Sequence, residues 1–282
     1  MVGIPAFLVI AFIWLPTLAS FLLSFTNWRG ITAITSNNVV GLNNYITLLS
    51  GKYLFFWPAV SHNALWLAFF LFVATPFGIF LAVLLDRELR GSSFYKTAFY
   101  LPVVLSLALV GFIWQLQFAP ENGFINNALG RATEGNQINW LGDPKLNIWA
   151  VIVAASWRQV GYVMLIYLAG LKSVDPTLKE AAAIDGASER QAFFSVIFPV
   201  MAPINVVVFV ITVIESLRAF DLAFVVNGGT NGLELLSTLI TNNSISEASL
   251  VGFGSSIAII LLLFSLGPIV FYLSRVMRES GK

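Results

Sequence analysis

The chain has 282 residues, of which 58% are hydrophobic and only 10% charged, and its formal net charge at pH 7 is +1. Soluble domains carry roughly 25% charged residues, so this composition is typical of an integral membrane protein, and the near-neutral charge does not favour nucleic acid as a partner. The sequence has no cysteine and a single histidine, His62, which excludes disulfides, thiol catalysis and a Cys- or His-based metal site.

Six apolar stretches are long enough to cross a bilayer, which takes about 20 mostly apolar residues. Because the hydrocarbon holds no water, each stretch has to be helical to satisfy its backbone, and internal prolines are tolerated there. The predicted spans are Val2–Phe25, Ala64–Leu85, Thr97–Phe118, Ile148–Leu171, Val196–Val226 and Leu250–Leu273. The sequence therefore predicts a single all-α transmembrane domain over residues 1–282.

The first predicted span begins at Val2 without the basic flank of a signal peptide, and no small-residue cleavage site follows it. Its length favours a true span over a signal-peptide core. The missing charged flank leads us to expect a native N-terminus that is longer than the sequence given.

The loops between the spans differ in positive charge. One side carries Arg87, Arg90, Lys96, Lys172, Lys179, Arg190, Arg275, Arg278 and Lys282, and the other side carries Arg29, Lys52, Arg131 and Lys145. Cytoplasmic loops are enriched in lysine and arginine, so the richer side, with both termini, is predicted to face the cytosol.

A polar, alanine-rich segment lies between the fourth and fifth spans and predicts a helix over residues 177–194. Asp175 and Pro176 form a start signal, because proline suits the first helical turn. Gly186 is expected to end or kink the helix. The small side chains from Ala181 onwards would allow a partner to approach closely. From the residues alone, docking of a partner protein and lying on the lipid headgroups are about equally favoured.

This segment resembles the EAA loop of ABC importer permeases. The motif positions are Glu180-Ala181-Ala182, then Gly186, then Val196-Ile197-Phe198-Pro199, with mild departures at Val196 and Phe198. Other stretches are similar to the carbohydrate subfamily, the MalF/UgpA-like sugar permease subunits, and extend the resemblance over essentially the whole chain. These stretches are Val40–Tyr45, Phe94–Pro102 with Ser106, Gly123–Leu129 and Asn227–Gly229. Thr230 departs from the proline that is usual there, and the first external loop is short.

The resemblance implies the type I ABC importer permease fold, with six transmembrane helices and a cytosolic coupling helix between the fourth and fifth. It implies one half of the translocation pathway of an ATP-driven, binding-protein-dependent sugar importer in a prokaryotic inner or plasma membrane. The implied partners are a second homologous permease subunit, two copies of a cytosolic ATPase, an extracellular solute-binding protein, the sugar and the lipid bilayer. The chain itself would be no enzyme and hold no cofactor, since ATP and Mg²⁺ are expected in the ATPase subunits.

The coupling residues that the resemblance implies are Glu180, Ala181, Ala182, Asp185 and Gly186. In this interpretation Glu180 is the polar anchor to the ATPase, and Gly186 provides the turn that follows the helix.

Four ionisable residues fall within the predicted spans: Arg158, Glu215, Arg218 and Asp221. Such residues are costly in a bilayer and usually face a cavity or a partner. The last three are spaced three residues apart, so on a continuous helix they would share a face and could pair along it. The position of the Glu215, Arg218 and Asp221 cluster along the fifth span does not decide whether the cluster lines a cavity at the membrane midplane or a gate near the outer mouth.

Gln159 and Tyr162 extend a polar stripe from Arg158, and Asn205 adds a polar group to the fifth span. Planar polar and aromatic side chains suit a sugar, and these positions roughly match substrate-lining positions in maltose-type permeases. Three interpretations stay open for the charged and polar set: lining of the sugar pathway, a structural ion pair between the fourth and fifth spans, and contact with the partner permease. For Asn205 a helix–helix hydrogen bond is equally favoured.

Other functions fit the sequence less well. An ABC permease for a non-sugar polar solute is the nearest alternative, although an anionic solute would need an excess of cationic side chains that the opposed charges here do not give. A stand-alone secondary transporter would be expected to show inverted repeats, and the sequence shows none. A membrane enzyme would need a Ser/His/Asp set, a metal cluster or paired catalytic carboxylates, which the sequence does not offer.

Overall fold

The computed structural model describes residues 3–87, 90–133, 135–245 and 249–280, and the side chains of all these residues except 279 and 280. The predicted start of the first span at Val2 and the predicted cytosolic charge of Lys282 lie outside them. Across these ranges the chain is helical and contains no β-strand, apart from an isolated bridge between Thr26 and Val39. The predicted all-α class is confirmed.

The helices follow one another along the chain with short connections. They are α1 (Gly3–Leu23), α2 (Asn43–Leu49), α3 (Phe56–Asp86), α4 (Ser92–Val104), α5 (Leu107–Gln117), α6 (Phe124–Ala128), α7 (Asn147–Ser173), α8 (Pro176–Ile184), α9 (Glu189–Val200), α10 (Ala202–Leu217), α11 (Asp221–Asn227), α12 (Leu236–Ser244) and α13 (Val251–Ser280). A wider π-turn interrupts α1 at Ile10–Trp14, α3 at Phe70–Ala74 and α9 at Phe193–Ile197.

Four helices among the described residues are long and apolar enough to cross a membrane by themselves: α1, α3, α7 and α13. The third and fifth predicted spans, in contrast, are broken. Helices α4 and α5 meet at 104°, and α9 is bent by 79° from the helical stretch that begins with α10. The number of spans rises to six if each bent pair is counted as one.

Local chemistry explains both breaks. Pro102 lies near the end of α4, and the hydroxyl of Ser106 accepts a hydrogen bond from the Leu109 amide to start α5 anew. Pro203 lies just after the second break and cannot donate a backbone hydrogen bond to the preceding turn. Each of these two predicted spans is therefore helical but bent, and the bend was not predicted because hydropathy alone does not report it.

The described residues divide into two compact units. One unit comprises the described residues up to Ala64 and those of Leu217–Leu266, and the other comprises the described residues of Leu65–Ser216 and those from Gly267 onwards. Each unit has buried side chains of its own.

Helix α7 is the centre of the second unit and packs against α3 and α4. Its buried residues include Ile152, Met164 and Tyr167. Gly161 allows the close approach of α4, since a Cβ added there would lie 2.1 Å from the carbonyl oxygen of Phe99. This glycine therefore sets how near the two helices lie.

The core of the first unit is formed by α2, the start of α3, α12 and α13. Its fully buried members are Leu48, Phe56, Ala59, Leu236, Leu239 and Ile257. Asn63 is buried beside this core, where its Oδ1 accepts from the Leu236 amide at 2.9 Å and its Nδ2 donates to the Leu217 carbonyl at 3.2 Å. One amide side chain thus satisfies backbone groups at the end of α10 and the start of α12.

Helix α1 buries none of its described side chains within the chain. A helix of 21 residues that is largely apolar and has no buried side chain suits lipid or a partner subunit rather than water.

Candidate functional site: a polar wall and the helix that follows it

Charged side chains of α7 and α10 meet in the second unit. Nη1 of Arg158 lies 3.6 Å from Oε2 of Glu215, and the two side chains are 29% and 45% exposed. The structure therefore contains the ion pair between the fourth and fifth spans that the sequence left open. Because both groups remain partly exposed, the pair is also accessible to a polar solute or to a partner chain.

Gln159, the next residue on α7 after Arg158, is only 4% exposed. Its Nε2 donates to Oγ1 of Thr212 at 3.2 Å, and that hydroxyl lies 3.3 Å from Oγ1 of Thr75. The three side chains form a buried tie between α7, α10 and α3. Sequence reasoning missed both threonines, although Thr212 lies three residues before Glu215 and so shares its side of the helix.

Tyr162 lies one helical turn after Arg158 on α7, which places it on the same face, and it is partly exposed. Asn205 has a different environment, near the bend between α9 and α10. Its Nδ2 donates to the Phe198 carbonyl at 2.9 Å, and its Oδ1 accepts from the Tyr167 hydroxyl at 2.5 Å. Since the helix is interrupted there, this side chain supplies the carbonyl with a donor and stabilises the bend.

Arg218 and Asp221 do not continue the face that carries Glu215. Helix α10 ends at Leu217, Arg218 is not helical, and Asp221 is the first residue of α11. The prediction that the three charged residues share one helix face was therefore wrong. The Leu217 carbonyl is taken by the side chain of Asn63, which helps to end the helix at this point.

The segment after α7 begins with a side-chain cap. Oδ1 of Asp175 accepts from the Thr177 amide at 2.9 Å, and this hydrogen bond lowers the pKa of the Asp175 carboxyl. Helix α8 ends at Ile184, and Gly186 has φ +76°, which glycine adopts without steric cost. The break predicted at Gly186 is present, and the single helix predicted over 177–194 is instead α8 followed by the start of α9.

Most of α8 and its turn is exposed. Glu180, Ala181, Asp185 and Gly186 are exposed, whereas Ala182 is buried and holds the helix to the rest of the unit. Ile184 is 86% exposed. The chain itself does not cover this isoleucine, so a partner protein and the lipid headgroups both remain able to cover it.

Two ion pairs join this segment to the end of α3. Nζ of Lys179 lies 3.0 Å from Oδ2 of Asp86, and Arg87 pairs with Glu189 just after the turn. Neither pair was predicted. The adjacent opposite charges of Asp86 and Arg87 at the end of an apolar span were the available signal, but their partners lie about a hundred residues away in sequence.

Comparison with known proteins gives a family and close relatives of similar length. Residues 64–279 match the family described as binding-protein-dependent transport system inner membrane component. A probable ABC transporter permease protein of Pyrococcus horikoshii is 32% identical over 96% of this chain and 92% of its own length. The xylose/arabinose import permease protein of Haloferax volcanii is 31% identical over 99% of this chain and 87% of its own length.

Two further similarities are informative. The trehalose/maltose transport system permease protein of Thermococcus litoralis is 29% identical over 94% of this chain and 88% of its own length. A solved bacterial ABC transporter involved in the import of the acidic polysaccharide alginate gives a TM-score of 0.81 at 20% identity, covering 99% of this chain and 94% of that chain. This likeness shows a type I ABC permease-like fold. On the family match and the relatives together, the chain belongs to the binding-protein-dependent transport system inner membrane components.

Proposed function

We propose that this chain is the transmembrane permease subunit of an ATP-driven, binding-protein-dependent sugar importer and forms one half of its translocation pathway. The names of relatives that import xylose/arabinose or trehalose/maltose support a carbohydrate as the solute. A structural neighbour with a TM-score of 0.79 is an alginate transporter in complex with an alginate pentasaccharide-bound periplasmic protein. That complex supports an extracellular solute-binding protein as a partner.

The proposal includes six spans with both termini in the cytosol. The bent pairs α4–α5 and α9–α10 each count as one span, and the excess of lysine and arginine in alternate loops sets the orientation. A second homologous permease subunit completes the pathway. The exposed and largely apolar helix α1 is consistent with such a partner or with lipid.

Within the pathway, Arg158, Tyr162 and Glu215 are the proposed lining residues, because they are polar, partly exposed and carried on adjoining helices. We call these three residues the polar wall. The opposed charges of Arg158 and Glu215 leave the polar wall close to neutral, which suits a neutral polar solute. Gln159 and Asn205 contribute by holding the wall in place. Arg218 and Asp221 lie beyond the end of α10, and we propose that they serve the outer part of the pathway.

The coupling surface comprises Glu180, Ala181, Ala182, Asp185 and Gly186, and docks to a cytosolic ATPase that holds ATP and Mg²⁺. One observation carries this proposal. Helix α8 is capped and anchored at its base, yet presents an exposed carboxylate and an exposed isoleucine at the position where the sequence resembles the EAA loop.

The variant Glu180→Lys tests the coupling role. The chain is purified together with the subunits that bind it, and the complex is reconstituted in proteoliposomes. A panel of mono- and oligosaccharides is then screened for uptake and for stimulation of ATP hydrolysis. We expect Glu180→Lys to abolish stimulated uptake while the protein stays in the membrane. The matched reversal Glu121→Lys, in a loop predicted to be external, should leave uptake unchanged. Unchanged uptake in Glu180→Lys would refute the docking role.

A non-sugar polar solute is the second candidate. The osmoprotective compounds uptake permease protein of a Synechocystis strain is 32% identical over 92% of this chain. Including small neutral osmolytes in the same panel distinguishes the two candidates, since stimulation by osmolytes alone would overturn the sugar assignment.

A further inference from the structure

We infer that Asp86 and Arg87 are positioning residues that clamp the coupling segment, defined as residues 175–190, to the end of α3. Through this clamp α3 becomes a strut that joins the coupling segment to the buried polar tie of Gln159, Thr212 and Thr75. The inference rests on the proposed coupling role of α8 and adds to it a second route by which motion of the segment reaches the transmembrane wall.

The two ion pairs have opposite polarity. The acid of the Asp86-Arg87 pair faces Lys179 on α8, and the base faces Glu189 after the turn. If the segment slid or flipped against α3, Asp86 would meet an acid and Arg87 would meet a base. Like charges at such short distances repel, so the pairs fix the register of the segment as well as its proximity.

The two pairs differ in strength. The side chains of Lys179 and Asp86 are 39% and 21% exposed, so their attraction is only partly screened by solvent. The side chains of Arg87 and Glu189 are 55% and 80% exposed, so that pair is the weaker attachment. We therefore expect the Asp86 pair to carry most of the clamp.

Besides the clamp, the segment is attached through its short connection to α7, through the buried side chain of Ala182 and through the turn that leads into α9. Val174 follows α7 with an extended backbone, φ −74° and ψ 132°, and leads directly to the cap of α8. Because Val174 is not helical, hydrogen bonds of a continuous helix do not set the angle between α7 and α8. Attachment to α3 restricts rotation of α8 about Val174, so that a displacement of α8 is passed on to the polar wall.

Helix α3 is suited to transmit such a displacement. Its regular C-terminal part runs from Thr75 to Asp86, which is 12 residues or about 18 Å of helix. At one end is the clamp, and at the other is the Thr75 hydroxyl beside Thr212. Between them α3 lies tightly on α7, since a Cβ added at Gly78 would lie 2.8 Å from the Cβ of Val163. Close-packed helices transmit displacement because they have little free volume to absorb it.

Charge reversal and charge exchange test the clamp. The single variants are Asp86→Lys and Arg87→Glu, and the exchanges add Lys179→Asp or Glu189→Arg to restore each pair with inverted polarity. Arg90→Glu is the matched control, because it makes the same change as Arg87→Glu in the same loop and no described residue forms an ion pair with Arg90.

Distances are measured first, on the full-length chain in nanodiscs. The sequence has no cysteine, so spin labels at Ala183→Cys on α8 and Ser93→Cys on α4 are unique. We expect a narrow distance distribution in the parent and in Arg90→Glu, a broadened one in Asp86→Lys, and a narrow one again after exchange with Lys179→Asp. A distribution that is unchanged in Asp86→Lys, or still broad after the exchange, would overturn the clamp.

Coupling is measured second, as solute transported per ATP hydrolysed by the co-purified complex, with the solute that the screen identifies. Each single reversal should lower this ratio about two- to fivefold, the range set by partly exposed ion pairs, and each exchange should restore it. A ratio that follows protein yield instead of charge pairing would overturn the positioning role. The spin-label distances can be measured without an ATPase and therefore test the clamp independently. If the clamp is present but the complex shows no coupled ATP hydrolysis, only the proposed function is overturned.

Discussion

Replacing Gly161 by alanine tests the close approach of α4 to α7, on which the position of the polar wall depends. An added Cβ would lie 2.1 Å from the Phe99 carbonyl oxygen, whereas real Cβ contacts essentially never fall below 3.0 Å. The oxygen belongs to the backbone and cannot rotate away like a side chain. Helix α4 would therefore have to move by about 0.9 Å, the difference between these two distances, at the point of contact.

The expected loss of stability follows from two opposing effects. Overpacking costs about 1 to 3 kcal/mol, and a fixed backbone obstacle favours the upper end of that range. Alanine is better than glycine in a helix by up to about 1 kcal/mol, which offsets part of the cost. We expect Gly161→Ala to be less stable than the parent by about 2 kcal/mol.

Gly267→Ala is the matched control, since Gly267 is helical and a Cβ there would meet nothing within 4 Å. Only the propensity gain applies to it, so this variant should be at least as stable as the parent. The folded fraction of detergent-solubilised protein after heating, read by size-exclusion chromatography, measures both. A Gly161→Ala variant that melts at or above the parent would refute the reasoning, because it would show that the helices are not in contact there.

Three other changes have defined outcomes. Asp175→Ala should speed hydrogen exchange of the Thr177 amide, whereas Asp175→Asn should not, because asparagine can also cap the helix. Since the hydrogen bond lowers the pKa of the Asp175 carboxyl, protection of the Thr177 amide should persist at neutral pH and be lost only below pH 3.8. Burial raises the pKa of Tyr53 from 10.0, so its contribution to stability should be full below pH 10 and fall as the pH rises further. The fall should be smaller in a pH-stability series of Tyr53→Phe than in the parent. Arg158→Ala should reduce uptake by proteoliposomes without preventing assembly on size exclusion, whereas loss of assembly would make Arg158 structural.

The local sequence determines much of the secondary structure. The apolar stretches determined where the long helices α1, α3, α7 and α13 lie, because an apolar helix of that length is encoded by its own residues. Asp175 and Pro176 likewise determined the start of α8, and Gly186 its end, since capping and left-handed turns depend on neighbours in the chain. The EAA-like spacing was sufficient to predict the family that the comparisons confirm.

Only the tertiary structure decided which polar groups meet. The partners of Gln159 and Asp86 lie 53 and 93 residues away, on helices whose rotation about their axes no local pattern reports. The same holds for the bend at which Asn205 bonds the Phe198 carbonyl, and for the end of α10 that separates Arg218 from Glu215. Hydropathy fixes the length of a membrane helix, but contacts between helices fix its breaks and the directions of its polar side chains.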